Sequence, residues 1–198
     1  FANCGGCTWQ NLSYEDQRLL KEGQLKELLV SAITAPYVFE GVKGSPRQLE
    51  YRNKMEFSFG DEEKDGPLAL GMHKRGSFYD IVTADKCQIV DADFRKILCC
   101  VLEHFKKKEL PFYHRLRHTG YLRHLLVRKA ANTGEILVDL ITTTQRLGED
   151  GGDYSALAAD ESWAEELRAL SLEGEIVGIL HTYNDSLADV VQNDRTEL

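Results

Sequence analysis

The 198-residue sequence lacks several features that would indicate particular classes of protein. It contains no apolar run near the roughly 20 residues that a membrane-spanning helix requires, and its first residues do not form a signal-peptide pattern. It has no Gly-rich phosphate loop after a predicted strand, no internal repeat and no low-complexity tract. Five unevenly placed cysteines do not suit a disulfide scaffold. We therefore expect a globular, cytoplasmic protein with no membrane partner.

Basic residues are scarce in the last third of the chain. Residues 130–198 contain 3 Lys and Arg against 15 Asp and Glu, whereas residues 1–129 contain 21 against 17. The basic surplus is densest in residues 106–129, which contain eight Lys and Arg and one Glu. This asymmetry, hidden in a net charge of −8, favours a phosphate backbone as partner of the first part. A solvated charged surface would give the same composition.

Hydrophobic periodicity predicts an α+β fold with a mainly antiparallel sheet and flanking helices. Ser13 and Asp16 suit a capping box for a helix over residues 14–33, and Asp91 suits the N-cap of a helix that ends near Lys107. A shorter helix is predicted over residues 162–170. The predicted strands cover residues 48–60, 68–73, 77–83, 121–130, 135–143 and 175–184.

The strand over residues 48–60 alternates between apolar and polar side chains, which predicts one buried and one exposed face. The side chains predicted to be buried are Leu49, Tyr51, Met55, Phe57 and Phe59. Arg52 and Lys54 then share the exposed face, roughly 7 Å apart, which suits two successive phosphates or a base edge and a phosphate. Surface ion pairs with Glu50 and Glu56 are the ordinary alternative.

A second set of candidate RNA contacts lies at a predicted hairpin turn. His73, Lys74 and Arg75 lie at its tip, and Phe78 could stack on an unpaired base. Burial of Phe78 and its neighbour Tyr79 in the core is the ordinary alternative. Arg123 and Arg128 fall on opposite faces of their strand, so at most one is expected at the same surface. Three histidines are expected to be solvated or buried: His114, His118 and His124.

The CGGC stretch places Cys4 and Cys7 two residues apart, a spacing shared by metal ligands, redox pairs and chance pairs. No predicted strand precedes it, which disfavours a thioredoxin-like redox motif. Cys87 provides a third thiol, one short of a four-cysteine zinc or iron–sulfur site. Cys99 and Cys100 are expected to be small core residues of their helix, so the fourth ligand is expected before residue 1. From spacing alone, a metal site and incidental cysteines both stay open.

Four stretches in this order resemble the bacterial RNA uracil-5-methyltransferases, particularly the iron–sulfur enzymes that make 5-methyluridine in 23S ribosomal RNA. They are CGGCTWQNLSYEDQRLLK, EYRNKMEFSFG, LGMHKRGSFYDIVTADKCQIVD and YLRHLLVRKAANTGEILVDLITT. The resemblance covers most of residues 4–145 and is looser beyond. It implies that Cys4, Cys7 and Cys87 bind a [4Fe–4S] cluster whose fourth ligand precedes the chain. It also implies RNA as partner, ribosomal rather than transfer RNA, and not DNA.

The resemblance further implies that this chain is the central part of a longer enzyme. The S-adenosylmethionine-binding catalytic domain would follow residue 198, so no catalytic residue or complete Rossmann-like domain is expected here, and the fragment alone would be inactive. Three parts are predicted: a cysteine-rich cluster segment (1–12), a long helix (13–35) and an antiparallel RNA-recognition domain (36–198). A non-enzymatic, zinc- or cysteine-stabilised RNA-binding module, and a structural domain with incidental thiols, are the alternatives.

Overall fold

The computed structural model describes residues 3–148, 151–188 and 194–197. The chain divides into two compact units, one made of Phe1–Gly6 and Glu50–Leu198 and the other of Cys7–Leu49. In the described residues, no helix combines the length and the apolar character needed to cross a membrane.

The Cys7–Leu49 unit contains one helix, α1 (Tyr14–Ala32). The predicted cap is confirmed, because Ser13 Oγ accepts a hydrogen bond from the Asp16 N–H at 3.1 Å and donates one to the Asp16 carboxylate at 2.6 Å. No residue of α1 is buried. Its leucines therefore form no core within this unit.

The larger unit contains a seven-stranded sheet among the described residues. In chain order the strands are β1 (Lys54–Asp61), β2 (Leu68–His73), β3 (Ile81–Thr83), β4 (Leu122–Lys129), β5 (Glu135–Thr142), β6 (Glu175–Tyr183) and β7 (Arg195–Glu197). Their spatial order is β3-β2-β1-β4-β5-β6-β7. Every neighbouring pair is antiparallel except β5 and β6, which are parallel. The predicted α+β class with a mainly antiparallel sheet is confirmed.

Helix α2 (Ala92–Lys108) packs against one face of this sheet. Asp91 caps it by accepting hydrogen bonds from the N–H groups of Asp93 and Phe94, as predicted. Met55, Phe57 and Phe59 of β1 are buried on the same side. Each such side chain contributes about 1.5–3 kcal/mol through burial.

Two short helices, α3 (Ser155–Ala158) and α4 (Ser162–Arg168), lie in the connection between the parallel strands β5 and β6. Trp163 and Leu167 of α4 join the core beside α2. The sequence predicts α4 but neither α3 nor β7. Parallel strands need a long crossover, and these helices supply it.

The predicted start of the first strand is wrong. Leu49 and Tyr51 are 51% and 56% exposed, although alternation predicts that they are buried. The N–H groups of Glu50 and Arg52 donate to the carbonyls of Gln88 and Ile89, and Glu50 has a φ of 53°. Glu50 and Arg52 are therefore bound to the loop ahead of α2, whereas the Asn53 carbonyl accepts a hydrogen bond from the Lys129 N–H of β4 at 2.9 Å.

The strand predicted over residues 77–83 is also shorter than expected, since β3 begins at Ile81. Ser77 Oγ accepts hydrogen bonds from the N–H groups of Tyr79 and Asp80, which bends the chain into a local turn. Phe78 is consequently 83% exposed and Tyr79 is 54% exposed. Burial of these two rings in the core is thus excluded.

A buried carboxylate joins α2 to β4 and to the turn before β6. Asp93 is fully buried and accepts hydrogen bonds from Lys129 Nζ at 2.7 Å and from the N–H groups of Glu173 and Gly174 at 2.9 Å. Burial alone would raise the pKa of Asp93, but the bonds from Lys129 and the two N–H groups outweigh it and hold the pKa below its ordinary value. Asp93 therefore stays charged in the folded protein.

We predict that Asp93→Ala lowers the free energy of unfolding at pH 7 by about 3–5 kcal/mol, because it removes one of the two carboxylate partners of Lys129 and leaves the partly buried N–H groups of Glu173 and Gly174 without theirs. The wild-type advantage should shrink as the pH falls below about 4, since a carboxylate with a lowered folded pKa loses its contribution when it is protonated. Urea unfolding at pH 7 and pH 3 measures both effects.

Glu62→Gln removes an exposed carboxylate in the β1–β2 turn and serves as the matched control. It should change the free energy of unfolding by less than about 0.5 kcal/mol. Equal effects of the two substitutions would show that the Asp93 contacts do not stabilise the fold.

Candidate nucleic-acid interface

A cluster of like charges lies on the sheet face that points away from α2. Lys54 of β1 is directly opposite Arg128 of β4, and both side chains are exposed. Arg52 is also exposed, and its Nε donates to the carbonyl of Lys54 at 3.1 Å. We call Arg52, Lys54 and Arg128 the basic cluster. Like charges directly opposite one another destabilise a sheet, so an anion placed here would relieve their repulsion.

The ion pairs expected as the ordinary alternative do not form. Glu50 pairs instead with Arg95 at 2.9 Å, on the loop ahead of α2. Within the described parts of the chain, neither Arg52 nor Lys54 takes part in an ion pair. An open depression of about 320 Å³ adjoins Lys54 and Arg128, with Leu137 and Val177 on its apolar side. Charged groups beside apolar surface suit a nucleotide, which has a phosphate and a flat base.

The second predicted contact region is the turn over residues 73–79, here called the tip. Arg75 is exposed, His73 is half-buried, and Lys74 lies 3.8 Å from the carboxylate of Asp80. Phe78 is the most exposed ring of the tip. The tip therefore exposes the Arg75 side chain and the flat Phe78 ring, and Lys74 is partly neutralised by Asp80.

Residues at the start of the chain support the tip. Gly5 N–H donates to the His73 carbonyl at 2.8 Å, and Arg75 N–H donates to the Asn3 carbonyl at 2.7 Å. A Cβ at Gly5 would lie 2.8 Å from the His73 oxygen, so only glycine permits this approach. The first residues of the CGGC motif thus support the tip, a contact that the sequence gives no means of predicting.

Arg115 also holds the tip, and no motif in the sequence marks it as a contact residue. Its guanidinium lies 2.8 Å from His73 Nε2 and donates to the Phe78 carbonyl at 3.3 Å. Its only sequence signal was the basic surplus of residues 106–129. The residue positions the tip more than it supplies an exposed charge.

Arg123 and Arg128 lie in different environments, as predicted for residues on opposite faces of a strand. Arg123 is buried, lies over the Tyr113 ring at 4.3 Å and donates to the carbonyls of Asn184 and Ser186. The pairing of β4 with β5 shifts register between Leu122 and His124, which places the Arg123 side chain under the chain that follows β6. Arg128 alone joins the exposed cluster.

His124 is buried beside Ser58, whose Oγ is 3.3 Å from its Nδ1. Burial, together with the charges of Arg123 and Arg115 and with His73, lowers the pKa of His124 to about 3. The unfolded chain would bind this proton near pH 6.5, so His124 disfavours the folded state as the pH falls from there towards 3. At neutral pH it is uncharged and contributes no attraction for phosphate.

The predicted cluster ligands lie in two units. Cys4 and Cys87 belong to the larger unit and are partly exposed, whereas Cys7 belongs to the smaller one. Gly6 N–H donates to Cys4 Sγ at 3.4 Å, and Arg95 Nη1 donates to the Cys87 carbonyl at 3.0 Å. Among residues 3–148, 151–188 and 194–197, no three Cys, His, Asp or Glu side chains are close enough to hold a metal ion. The described residues therefore do not form a complete ligand set.

The expectation that both helix cysteines are core residues is wrong for Cys99, which is exposed. The buried face of α2 contains Leu98, Val101 and Leu102, and Cys99 faces away from it. Cys100 is half-buried against the core. Partial burial and then the nearby carboxylates Asp85 and Glu103 raise the pKa of the Cys99 thiol, and burial raises that of Cys100.

The chain is similar along its whole length to part of several bacterial proteins named "uncharacterized RNA methyltransferase". It is 46% identical over 198 residues to one from Clostridium tetani, which covers 100% of this chain and 41% of that protein. It is 48% identical over 195 residues to one from Clostridium acetobutylicum, covering 98% of this chain and 41% of the relative. The chain thus spans about two fifths of the length of these relatives. No protein-family model matches it.

A solved structure has the same fold. This is the crystal structure of Pyrococcus abyssi tRNA (uracil-54, C5)-methyltransferase in complex with S-adenosyl-L-homocysteine, with a TM-score of 0.68 and 22% identity. The match covers 98% of this chain and 40% of the archaeal one. At this identity the likeness establishes the fold alone.

Proposed function

We propose that this chain is the RNA-binding part of an S-adenosylmethionine-dependent RNA uracil-C5 methyltransferase. The observation that carries the proposal is the 46% identity, over the whole chain, to part of a protein named as an RNA methyltransferase. The methyl-transfer residues would belong to other parts of the whole protein, and this chain would bind the RNA. From the motif resemblance, we propose 23S ribosomal RNA, and not transfer RNA, as the substrate and the cytoplasm as its location.

The described side chains support an RNA-binding role. Lys54 and Arg128 lie directly opposite each other with exposed side chains, the exposed Arg52 side chain donates to the Lys54 carbonyl beside them, and Arg75 is exposed at the tip. Phe78 offers a flat apolar face for an unstacked base, and such stacking is worth about 1–3 kcal/mol per base. A methyltransferase must draw its uracil out of the RNA stack, so gripping the flanking nucleotides helps to offset that cost.

We also propose Cys4, Cys7 and Cys87 as three thiolate ligands of a [4Fe–4S] cluster, with the fourth ligand upstream of residue 1. The donor chemistry fits, because the thiols of Cys4 and Cys87 are partly exposed and Gly6 N–H donates to the Cys4 sulfur. A bound cluster would link the CGGC segment to the loop that contains Cys87.

We predict that this chain binds single-stranded RNA and that Arg52→Gln combined with Lys54→Gln weakens the binding about tenfold or more near 0.1 M salt. Each lost phosphate contact should also reduce the slope of log K against log salt by about 0.7. Fluorescence anisotropy over a salt series measures both. A 23S ribosomal RNA fragment should compete better than transfer RNA.

Lys64→Gln provides the matched control, since it removes an exposed cation at the opposite end of β1. It should leave affinity and salt slope almost unchanged. If the double variant behaves like this control, the basic cluster does not bind RNA.

For the whole protein we predict that deletion of its gene removes 5-methyluridine from 23S ribosomal RNA and leaves the transfer RNA content unchanged. Nucleoside analysis of the two purified RNA pools by mass spectrometry measures this. Loss from transfer RNA alone would overturn the ribosomal assignment, and loss from neither pool would overturn uracil-C5 methylation.

We predict that the whole protein, purified without oxygen, contains about four iron atoms and absorbs visible light broadly, and that Cys87→Ser removes most of both signals. Cys99→Ser is the control, because Cys99 is exposed on α2 and is no proposed ligand. One zinc per chain in place of iron would contradict the cluster and support a zinc-stabilised module.

A further inference from the structure

An aromatic pocket lies beside the segment that leads into β4. Its volume is about 270 Å³, and its lining includes rings, one guanidinium and backbone. The lining residues are Pro111, Phe112, His114, Arg117, Thr119, Gly120, Gly148 and Tyr154. Neither the predicted RNA contacts nor the predicted metal ligands include any of them.

Two nearly parallel rings line this pocket. Phe112 and His114 are two residues apart, and the planes of their rings differ by only 24° with centroids 6.5 Å apart. Both side chains are partly exposed. Near-parallel rings at this distance offer faces on which a planar aromatic group stacks.

The backbone around the rings is fixed. Gly120 has a φ of +118°, and a Cβ there would lie 2.1 Å from the Phe112 carbonyl oxygen. Its N–H donates to Gln145 Oε1 at 3.0 Å, and its carbonyl accepts from Thr143 Oγ1 at 2.7 Å. His114 N–H donates to the Thr119 carbonyl at 2.7 Å. The pocket is therefore formed before any ligand enters, which reduces the entropy cost of binding.

The pocket adjoins the tip. Arg115 follows His114 directly and contacts His73 and the Phe78 carbonyl, so one loop connects the two features. Arg117, with an exposed side chain, lines the same pocket and brings a positive charge.

We infer that the aromatic pocket binds one unpaired nucleobase of the RNA, stacked on Phe112 and His114, with Arg117 facing its phosphate. The inference rests on the proposed RNA-binding function and adds to it a site for a single base. Stacking does not distinguish one base from another, so the pocket holds a flanking nucleotide with little sequence preference.

The test uses this chain and a six-nucleotide oligouridylate that contains one 2-aminopurine, whose fluorescence falls when it stacks. Wild type should quench the probe on binding. Phe112→Ala should weaken the affinity about tenfold and remove much of the quenching. The slope of log K against log salt should stay the same, because no phosphate contact is lost.

Leu116→Ala is the matched control, since Leu116 is 65% exposed on the same loop and does not line the pocket. Because Phe112 also contacts the core, His114→Ala is a second variant, and thermal unfolding shows that each variant is folded. An oligomer of six abasic nucleotides, which has the phosphates but no base, should bind wild type and Phe112→Ala alike.

Wild-type binding that is unaffected by Phe112→Ala and His114→Ala would overturn the base pocket and leave the proposed function standing. No binding of any oligomer by wild type would overturn the proposed function together with the pocket. The two failures are thus distinguishable within one set of titrations.

Discussion

Burial of one face of β1 against α2 is the constraint on which the rest of the structure depends. Met55 and Phe57 lie in the core, directly opposite Val127 and Leu125 of β4. Because side chains alternate along a strand, a slip of one residue would bury Lys54 in place of Met55. Burying an unpaired ammonium costs several kcal/mol, so the register is strongly specified. The same register holds Lys54 outward beside Arg128, and the repulsion between them is small by comparison.

The tip (residues 73–79) is held in place by segments that lie far from it in the sequence. Asn3 and Gly5 bind the backbone of the tip, and Arg115 contacts it from the loop before β4. Since tight turns joined only by their own strands are mobile, these contacts reduce the freedom that RNA binding would otherwise remove. They also give the CGGC glycines a structural role besides any part in metal binding.

Alternation and capping predicted the elements that rest on local chemistry. Ser13 and Asp91 begin helices as expected, and the outward side of β1 is the expected one. Predictions failed where distant backbone groups compete. Leu49 and Tyr51 follow the strand pattern, yet the N–H groups around them bond to residues 88–89. Phe78 and Tyr79 are exposed because Ser77 bends the chain. These hydrogen bonds do not follow a periodic pattern, so the sequence could not reveal them.

The candidate RNA-binding residues also divide into those that local sequence predicts and those that depend on distant contacts. The positions of Lys54 and Arg75 follow from a strand face and a hairpin turn, so their exposure could be predicted. The role of Arg115 could not, because its partners lie 42 and 37 residues earlier in the chain. The burial of Arg123 likewise depends on a register shift and on carbonyls beyond β6.

The uneven distribution of charge along the sequence is explained in part by contacts between α2 and the last third of the chain. Lys108 pairs with Asp160, Lys96 donates to the Ser171 carbonyl, and His104 lies 3.1 Å from Glu166. The bond from Lys108, then those from Ser162, lowers the pKa of Asp160. Acidic residues of the last third thus partly neutralise α2 on its side of the sheet. Lys54 and Arg128 are exposed on the opposite face of the sheet, which is the side that we propose for a phosphate backbone although the net charge is negative.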